Sequence, residues 1–311
     1  MNKILIIGAN GFVGNYIVKE YLKDNYEVIA ADLQDSFKYN YDVYYEKMDI
    51  LDKKNVEIVI KKWQPDYLIN LAAISSVAVS WDIPEKTFNI NVIGTVNILE
   101  SIKKYNKKCK VLLVGSSEEY APKDIPLTEN DKLDANNPYG ISKIAQENIA
   151  KIYSDRYKLN IICTRSFNHT GPGQLERFVI PDFCKQVALI EKSGKPGKIY
   201  IGNLSVYRDI SDVRDIAVAY KILLEKHENL FDVFNVGSGN SYQMRKIVSK
   251  IISLSTQPIE IVVDSNKIRS VDTPYICCDT SKISKFNIKS IYSIDEILYH
   301  VYQYELNNGR R

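Results

Sequence analysis

Four side chains in this 311-residue sequence have types and spacings suited to moving a proton: Ser116, Glu118, Tyr139 and Lys143. Tyr139 and Lys143 belong to Tyr139-Gly-Ile-Ser-Lys143, which follows Asn137-Pro138, a sound helix start because proline is tolerated in the first turn. Their spacing sets them one turn apart on one helical face. A phenol with a pKa of about 10 exchanges protons poorly at neutral pH. A nearby ammonium favours the phenolate and brings the group toward a working range. Ser116 and Ser117 end the apolar run Val111–Val114, and ligands in open α/β sheets sit at such strand ends. Ser116 can hydrogen-bond the substrate oxygen that Tyr139 protonates, and Glu118 offers a second acid/base group. The serine pair also reads as a hydroxyl-stabilised turn.

A second constellation points to a dinucleotide. Gly8, Gly11 and Gly14 follow the apolar run Ile4–Ile7 and open a helix, with Asn10, Phe12 and Val13 between them. The first glycine permits a tight turn, the second lets backbone approach a pyrophosphate, and the third lets helix and strand pack closely. Asp32, followed by Leu33, closes the second strand, where its carboxylate would accept both ribose hydroxyls and repel a 2′-phosphate. No arginine follows at once, so NAD(H) is the preferred cofactor and NADP(H) the possible one. Asp49 and Ile50 fall where an adenine edge would lie, although Asp49 reads equally as a plain loop aspartate. Leu71, Ala72 and Ala73 follow another strand end on the same side.

The elements that would position these groups alternate. Apolar runs at Ile4–Ile7, Val28–Ala31, Tyr67–Asn70, Val111–Val114 and Ile161–Thr164 predict buried strands. Helical patterns lie between them at Phe12–Lys23, Lys53–Trp63, Glu85–Tyr105 and Pro138–Tyr157. This rhythm predicts a Rossmann-type α/β fold, a doubly wound parallel sheet covered on both faces. After Arg165 the rhythm breaks. Loop signals cluster at Asn168–Gly173 and Ser193–Gly197, and helices near Ser211–Glu225, Tyr242–Ser253 and Ile294–Leu306 accompany a strand at Val233–Val236. The expected division is a cofactor-binding domain over 1–164, rejoined by part of 205–240, and a smaller lobe over 165–311.

Composition removes other classes. Hydrophobic residues make up 45% and charged residues 25%, and the formal charge is +3, a balance that suggests neither nucleic acid nor membrane as a partner. Five cysteines without C-x-x-C spacing and three scattered histidines predict no metal site and no disulfide framework, which suits a cytoplasmic chain. The first apolar run is too short for a signal peptide or a membrane span.

Together, Gly8-x-x-Gly-x-x-Gly14, Asn70-Leu-Ala-Ala73, Ser116-Ser-Glu118 and Tyr139-x-x-x-Lys143 resemble the extended short-chain dehydrogenase/reductase family. Further stretches narrow the likeness to its nucleotide-sugar branch and, within that, to the GDP-mannose 4,6-dehydratase family with its 4-keto-sugar reductases. These are Ser75–Trp81, Arg165–Gln174, Phe178–Phe183, Gly202–Asp209, Asp212–Asp215 and Arg269–Pro274. The resemblance implies that Ser75, Ser116 and Ser117 meet the sugar, and that Asn168, Arg208 and Arg269 hold the diphosphate. It further implies that Asp272 binds the nucleoside ribose and that Phe178, Val179 and Pro181 line the base pocket. The implied substrate is a GDP-linked 6-deoxy-4-keto sugar, reduced by NAD(P)H, in a homodimer built on two helices per subunit. A dehydratase using Glu118 as base is the alternative, and a non-catalytic NAD-binding regulator the remote one. Ile74, where many relatives carry a polar residue, and Ala121, where glycine commonly follows the tyrosine, depart from the family's pattern.

Overall fold

The computed structural model describes residues 1–264, 267 and 273–308. Its central sheet holds seven parallel strands: β1 (Asn2–Ile7), β2 (Tyr26–Asp32), β3 (Tyr44–Lys47), β4 (Tyr67–Asn70), β5 (Lys110–Ser116), β6 (Asn160–Ser166) and β10 (Phe231–Val236). They lie in the order β10-β6-β5-β4-β1-β2-β3. The order reverses between β1 and β4, and the crevice outside the carboxyl ends of such strands is where open α/β sheets bind ligands.

Alternation along β1 explains the two buried faces. Ile4 and Ile6 pack with α1 (Phe12–Tyr21) and α8 (Val213–Lys226), while Leu5 and Ile7 pack with α2 (Lys53–Trp63), α5 (Gly94–Tyr105) and α6 (Pro138–Tyr157). A sheet covered on both sides needs strands that are apolar throughout, and this is the pattern that the sequence carries.

Helix ends follow local chemistry. Asp52 caps α2 by accepting from the amides of Lys54 and Asn55, and Asn137 caps α6 by accepting from Gly140. Both helices span the predicted residues. The single helix expected over Glu85–Tyr105 is instead broken into α4 (Pro84–Phe88), a π-helical turn at Asn89–Ile93, and α5, with α3 (Val77–Asp82) before them. At this widened turn Asn91 is buried and bonds to Ile74 and Ser142. The helix predicted from Ser211 begins two residues later, because Ser211 and Asp212 finish a strand and Asp212 caps α8.

The remaining elements form the smaller lobe. β9 (Tyr207–Asp212) pairs with β7 (Asn168–Thr170), β11 (Ser241–Gln243) and β13 (Tyr275–Ile276), and β8 (Gly197–Ile201) pairs with β12 (Ile259–Val263). α7 (Val179–Ser193), α9 (Met244–Ile252) and α10 (Ile294–Asn308) enclose a third core that includes Phe183, Val187, Ile247, Leu298 and Val301. All five cysteines are buried and unpaired. Among the described residues, no helix is long and apolar enough to cross a membrane.

Candidate active site

β1 turns into α1 through Gly8, whose φ of +83° favours glycine. A Cβ there would lie 3.0 Å from the Ala72 nitrogen and 3.1 Å from the Leu71 carbonyl carbon, so the loops after β1 and β4 touch. A Cβ on Gly14 would stand 2.5 Å from the Gly8 oxygen, closer than any side chain tolerates. No side chain caps α1 at Gly11, and Phe12 and Val13 in its first turn are half-buried. A close-approaching loop at an uncapped helix N-terminus fits a pyrophosphate.

Asp32 accepts from the Asn10 amide at 3.0 Å and the Gln34 amide at 3.5 Å, and Leu33 beside it is exposed. Asn10 itself is buried. Its side-chain Nδ2 donates to the Ser36 carbonyl and its side-chain oxygen accepts from the Lys38 amide, so it fastens the loop after β2. Asp49 accepts from the Leu51 amide in a tight turn, the plain loop role the sequence also allowed. Ile50 is buried, and a Cβ on Gly94 would lie 2.4 Å from its Cδ1. Asn70 accepts from the Ala72 amide, with Ala73 half-buried and Ser75 exposed further along the same loop.

Ser116, Tyr139 and Lys143 are all buried together where β5 ends against α6. The Ser116 hydroxyl oxygen accepts from the Glu118 amide at 3.2 Å, so the turn chemistry expected of the serine pair is present at the same residue. Burial pushes the Tyr139 phenol well up, while hydrogen bonding to Ser116 works the other way. Lys143 Nζ lies 6.0 Å from the Tyr139 ring and donates to the Val114 carbonyl at 2.7 Å and to Gln146 Oε1 at 3.1 Å. Burial pushes its ammonium down to about 8, against the opposing charge of Glu119. The Ser80 hydroxyl accepts from the Tyr139 amide, which ties the start of α6 to α3.

Glu118 is half-buried, with Oε2 accepting from the Asn137 side chain at 3.1 Å. With Ser117, Ala121, Asn136, Thr273 and Tyr275 it lines a shallow cleft. The other candidate residues lie in the smaller lobe. Asn168 is exposed at the start of β7, Phe178 is half-buried just before α7, Val179 is exposed and Pro181 is buried. Arg208 donates from Nη1 to the carbonyls of Tyr207 and Thr273, which sets it beside the chain that enters β13. Its neighbour Asp209 accepts from Ser238, Gly239 and Cys278. Arg269 and Asp272 lie outside the described residues. His169 Nδ1 sits 3.0 Å from the Phe167 carbonyl, and burial pushes the ring's pKa down.

Sequence reasoning missed the supports of this site. Asn91 holds the Ile74 backbone and the Ser142 hydroxyl, Gln146 holds Lys143, and Glu119 lies wholly buried beneath Ser116. Asn91 stands among Thr87, Asn89, Thr95 and Asn97 in the same helical run, so no sequence signal singled it out. Among the described residues, no three His, Cys, Asp or Glu side chains gather as a metal would require.

A family model described as GDP-mannose 4,6 dehydratase matches residues 5–301. The chain is 30% identical over 211 residues to GDP-6-deoxy-D-mannose reductase of Pseudomonas aeruginosa, an alignment covering 67% of this chain and 69% of that one. It is 29% identical over 308 residues to GDP-6-deoxy-D-talose 4-dehydrogenase of Aggregatibacter actinomycetemcomitans, covering 96% and 97%. The structure of RMD from Pseudomonas aeruginosa complexed with NADPH superposes with a TM-score of 0.87 at 24% identity, over 99% of this chain and 100% of that one. A match this long, on a Rossmann sheet of this topology, places the chain in the GDP-mannose 4,6-dehydratase family, among the nicotinamide-dependent nucleotide-sugar enzymes of the extended short-chain dehydrogenase/reductase type.

Proposed function

We propose that this protein reduces the 4-keto group of a GDP-4-dehydro-6-deoxyhexose to a GDP-6-deoxyhexose, GDP-rhamnose foremost, with NADH as the preferred cofactor. The observation that carries the reading is the buried grouping of Ser116, Tyr139 and Lys143 at the carboxyl end of β5. When bound, the reduced nicotinamide supplies the hydride. Tyr139 then gives its proton to the carbonyl oxygen. The Ser116 oxygen already accepts from Glu118, which leaves its own proton to donate toward Tyr139 and, with substrate bound, that carbonyl. Lys143, close to the phenol, stabilises the phenolate as it forms. Gly8, Gly11 and Gly14 would take the pyrophosphate and Asp32 the ribose hydroxyls, where its charge disfavours a 2′-phosphate.

On the substrate side we assign Ser75 and Ser117 to the sugar, Asn168, Arg208 and Arg269 to the diphosphate, Asp272 to the nucleoside ribose, and Phe178, Val179 and Pro181 to the base. Forked guanidinium donors suit phosphate oxygens better than an ammonium would. The five buried, unpaired thiols support a reducing compartment such as the cytoplasm. Exposed Ile141 and Ile152 on α6 support a homodimer.

One observation favours a second reading. Glu118 lines the cleft with one oxygen held by Asn137, which suits a carboxylate base for a 4,6-dehydratase. Stoichiometry separates the two, because a reductase consumes one NADH per sugar while a dehydratase returns the hydride it borrows. Purified protein given GDP-4-keto-6-deoxymannose and NADH should lose reduced cofactor in step with formation of a GDP-6-deoxyhexose, and faster than with NADPH. GDP-mannose alone should remain intact. Conversion of GDP-mannose to the 4-keto sugar with no net change in cofactor would replace the reductase with the dehydratase.

A further inference from the structure

Beneath Ser116 lies a carboxylate that the reaction does not use. Glu119 is fully buried, and its Oε1 accepts from the Ser116 amide at 2.7 Å. The space it fills exists because residue 115 is glycine: a Cβ there would lie 2.4 Å from Glu119 Oε1. Its other oxygen, Oε2, has no hydrogen-bond partner and stands 3.9 Å from Arg165 Nε. That arginine is committed elsewhere, with a forked pair of bonds to Glu147 and a third to the Tyr120 hydroxyl. A buried carboxylate with one donor and one distant cation is an expensive arrangement to keep without a purpose.

We propose that Glu119 is a positioning residue for Ser116: its Oε1 fixes the Ser116 amide and so holds the turn in which the Glu118 amide engages the Ser116 hydroxyl. The two bonds close a reciprocal box, Glu119 to the Ser116 backbone and Ser116 to the Glu118 backbone. The box leaves the serine one direction for its proton, toward Tyr139 and the bound carbonyl. Burial, and after it the nearby Glu147, raise the Glu119 carboxyl above the usual carboxylate range. A proton that it takes up sits on the unpartnered Oε2, so Oε1 accepts from Ser116 in either state. The device therefore acts through reach and acceptor geometry rather than through charge.

The inference rests on the proposed role of Ser116, and two variants test it. Glu119→Gln keeps the reach and the acceptor but loses the charge. Glu119→Asp keeps the charge but draws the oxygen back by one methylene. Turnover of GDP-4-keto-6-deoxymannose should stay within about threefold of wild type in Glu119→Gln, since a neutral amide oxygen still accepts this bond. In Glu119→Asp, kcat should fall about tenfold or more at unchanged KM and NADH affinity, as for any misplacement of a catalytic group. Amide hydrogen exchange at Ser116 and Glu118, which needs no substrate, should quicken in Glu119→Asp and hold in Glu119→Gln. If wild type turns over no such sugar, the reductase reading fails while the exchange arm still decides the positioning role. The opposite ranking, with Asp active and Gln impaired, would show that charge is what matters and overturn the proposal. So would unchanged exchange in both variants, or a joint loss of kcat, NADH affinity and thermal midpoint.

Discussion

At the scale of single residues, Lys143 is where burial and chemistry pull against each other. Its ammonium donates to the Val114 carbonyl and Gln146, yet desolvation pushes its pKa down to about 8. Folding therefore disfavours its charge, and the folded protein binds fewer protons than the unfolded chain from about pH 8 up to the ordinary lysine range. That stability penalty is full below about pH 8, lifts as pH rises from there to the ordinary lysine range, and is gone above it. Activity runs the other way. The ammonium must be present to stabilise the tyrosinate left behind by proton transfer, so kcat/KM for reduction should decline above about pH 8. Tyr139, whose phenol burial pushes up, should stay protonated across the same interval and add no limb of its own there. A pH profile flat to about 9.5 would remove Lys143's charge from the mechanism. Tyr139→Phe should lower kcat by about 10²-fold with NADH binding preserved, as isothermal titration would show. These residues were legible because type and spacing alone place them on one helical face. Glu119 was not: Glu118-Glu119 after two serines looks like a solvated turn, and only the room left by Gly115 gives it away.

Elements convert those residues into a site by fixing where each helix starts. α6 begins at Pro138 because Asn137 caps it, and the same asparagine reaches Glu118 with its other end, so one side chain sets both the helix and the carboxylate. Asn91, in the π-helical turn before α5, does comparable work across the crevice. It accepts from the Ile74 amide, donates to the Ile74 carbonyl and donates to Ser142, and so ties the loop after β4 to the helix that carries Tyr139 and Lys143. Wide turns of this kind are frequent at functional sites. Asn91→Ala leaves buried polar groups unpaired, which costs about 1–3 kcal/mol in each such case. Chemical denaturation should report a loss of that size, and kcat should fall with it. A variant with unchanged stability would mean that water or a shifted backbone replaces the amide. Periodicity predicted a single helix here because a π turn adds no residue type that a 3.6-residue pattern excludes. β3 could be placed before Asp49 but given no bounds, for a different reason: Tyr44-Tyr-Glu-Lys47 is a half-exposed edge strand with no apolar run. α7 was hidden by Pro181, which is tolerated in the first turn of a helix but reads in sequence as a break.

For the whole molecule, the parallel sheet was legible because strands buried on both faces must be apolar throughout, whereas the smaller lobe, built from strands of two to six residues, carries no such pattern. What the fold leaves on its outside is equally informative. Ile141 is 46% exposed and Ile152 58% exposed, eleven residues apart and therefore in line along the outer face of α6. Ile93, at the end of the π-helical turn beside α5, is 48% exposed. Single exposed apolar residues need no explanation, but a row of them along two packed helices is a surface that water disfavours. Burying such a row against its own copy about a twofold axis satisfies both copies at once, and closed twofold symmetry is the commonest solution for soluble oligomers. The chain should therefore sediment at twice its 35.6 kDa mass. Replacing Ile141 and Ile152 together by lysine would set two desolvated charges against their own images across the axis, and the double variant should sediment as a monomer at micromolar concentration. Because neither residue is buried in the subunit, its thermal midpoint measured as a monomer should reflect only the lost assembly, and NADH should still bind. A wild type that sediments as a monomer, or a double variant that stays dimeric, would rule out this face as the interface.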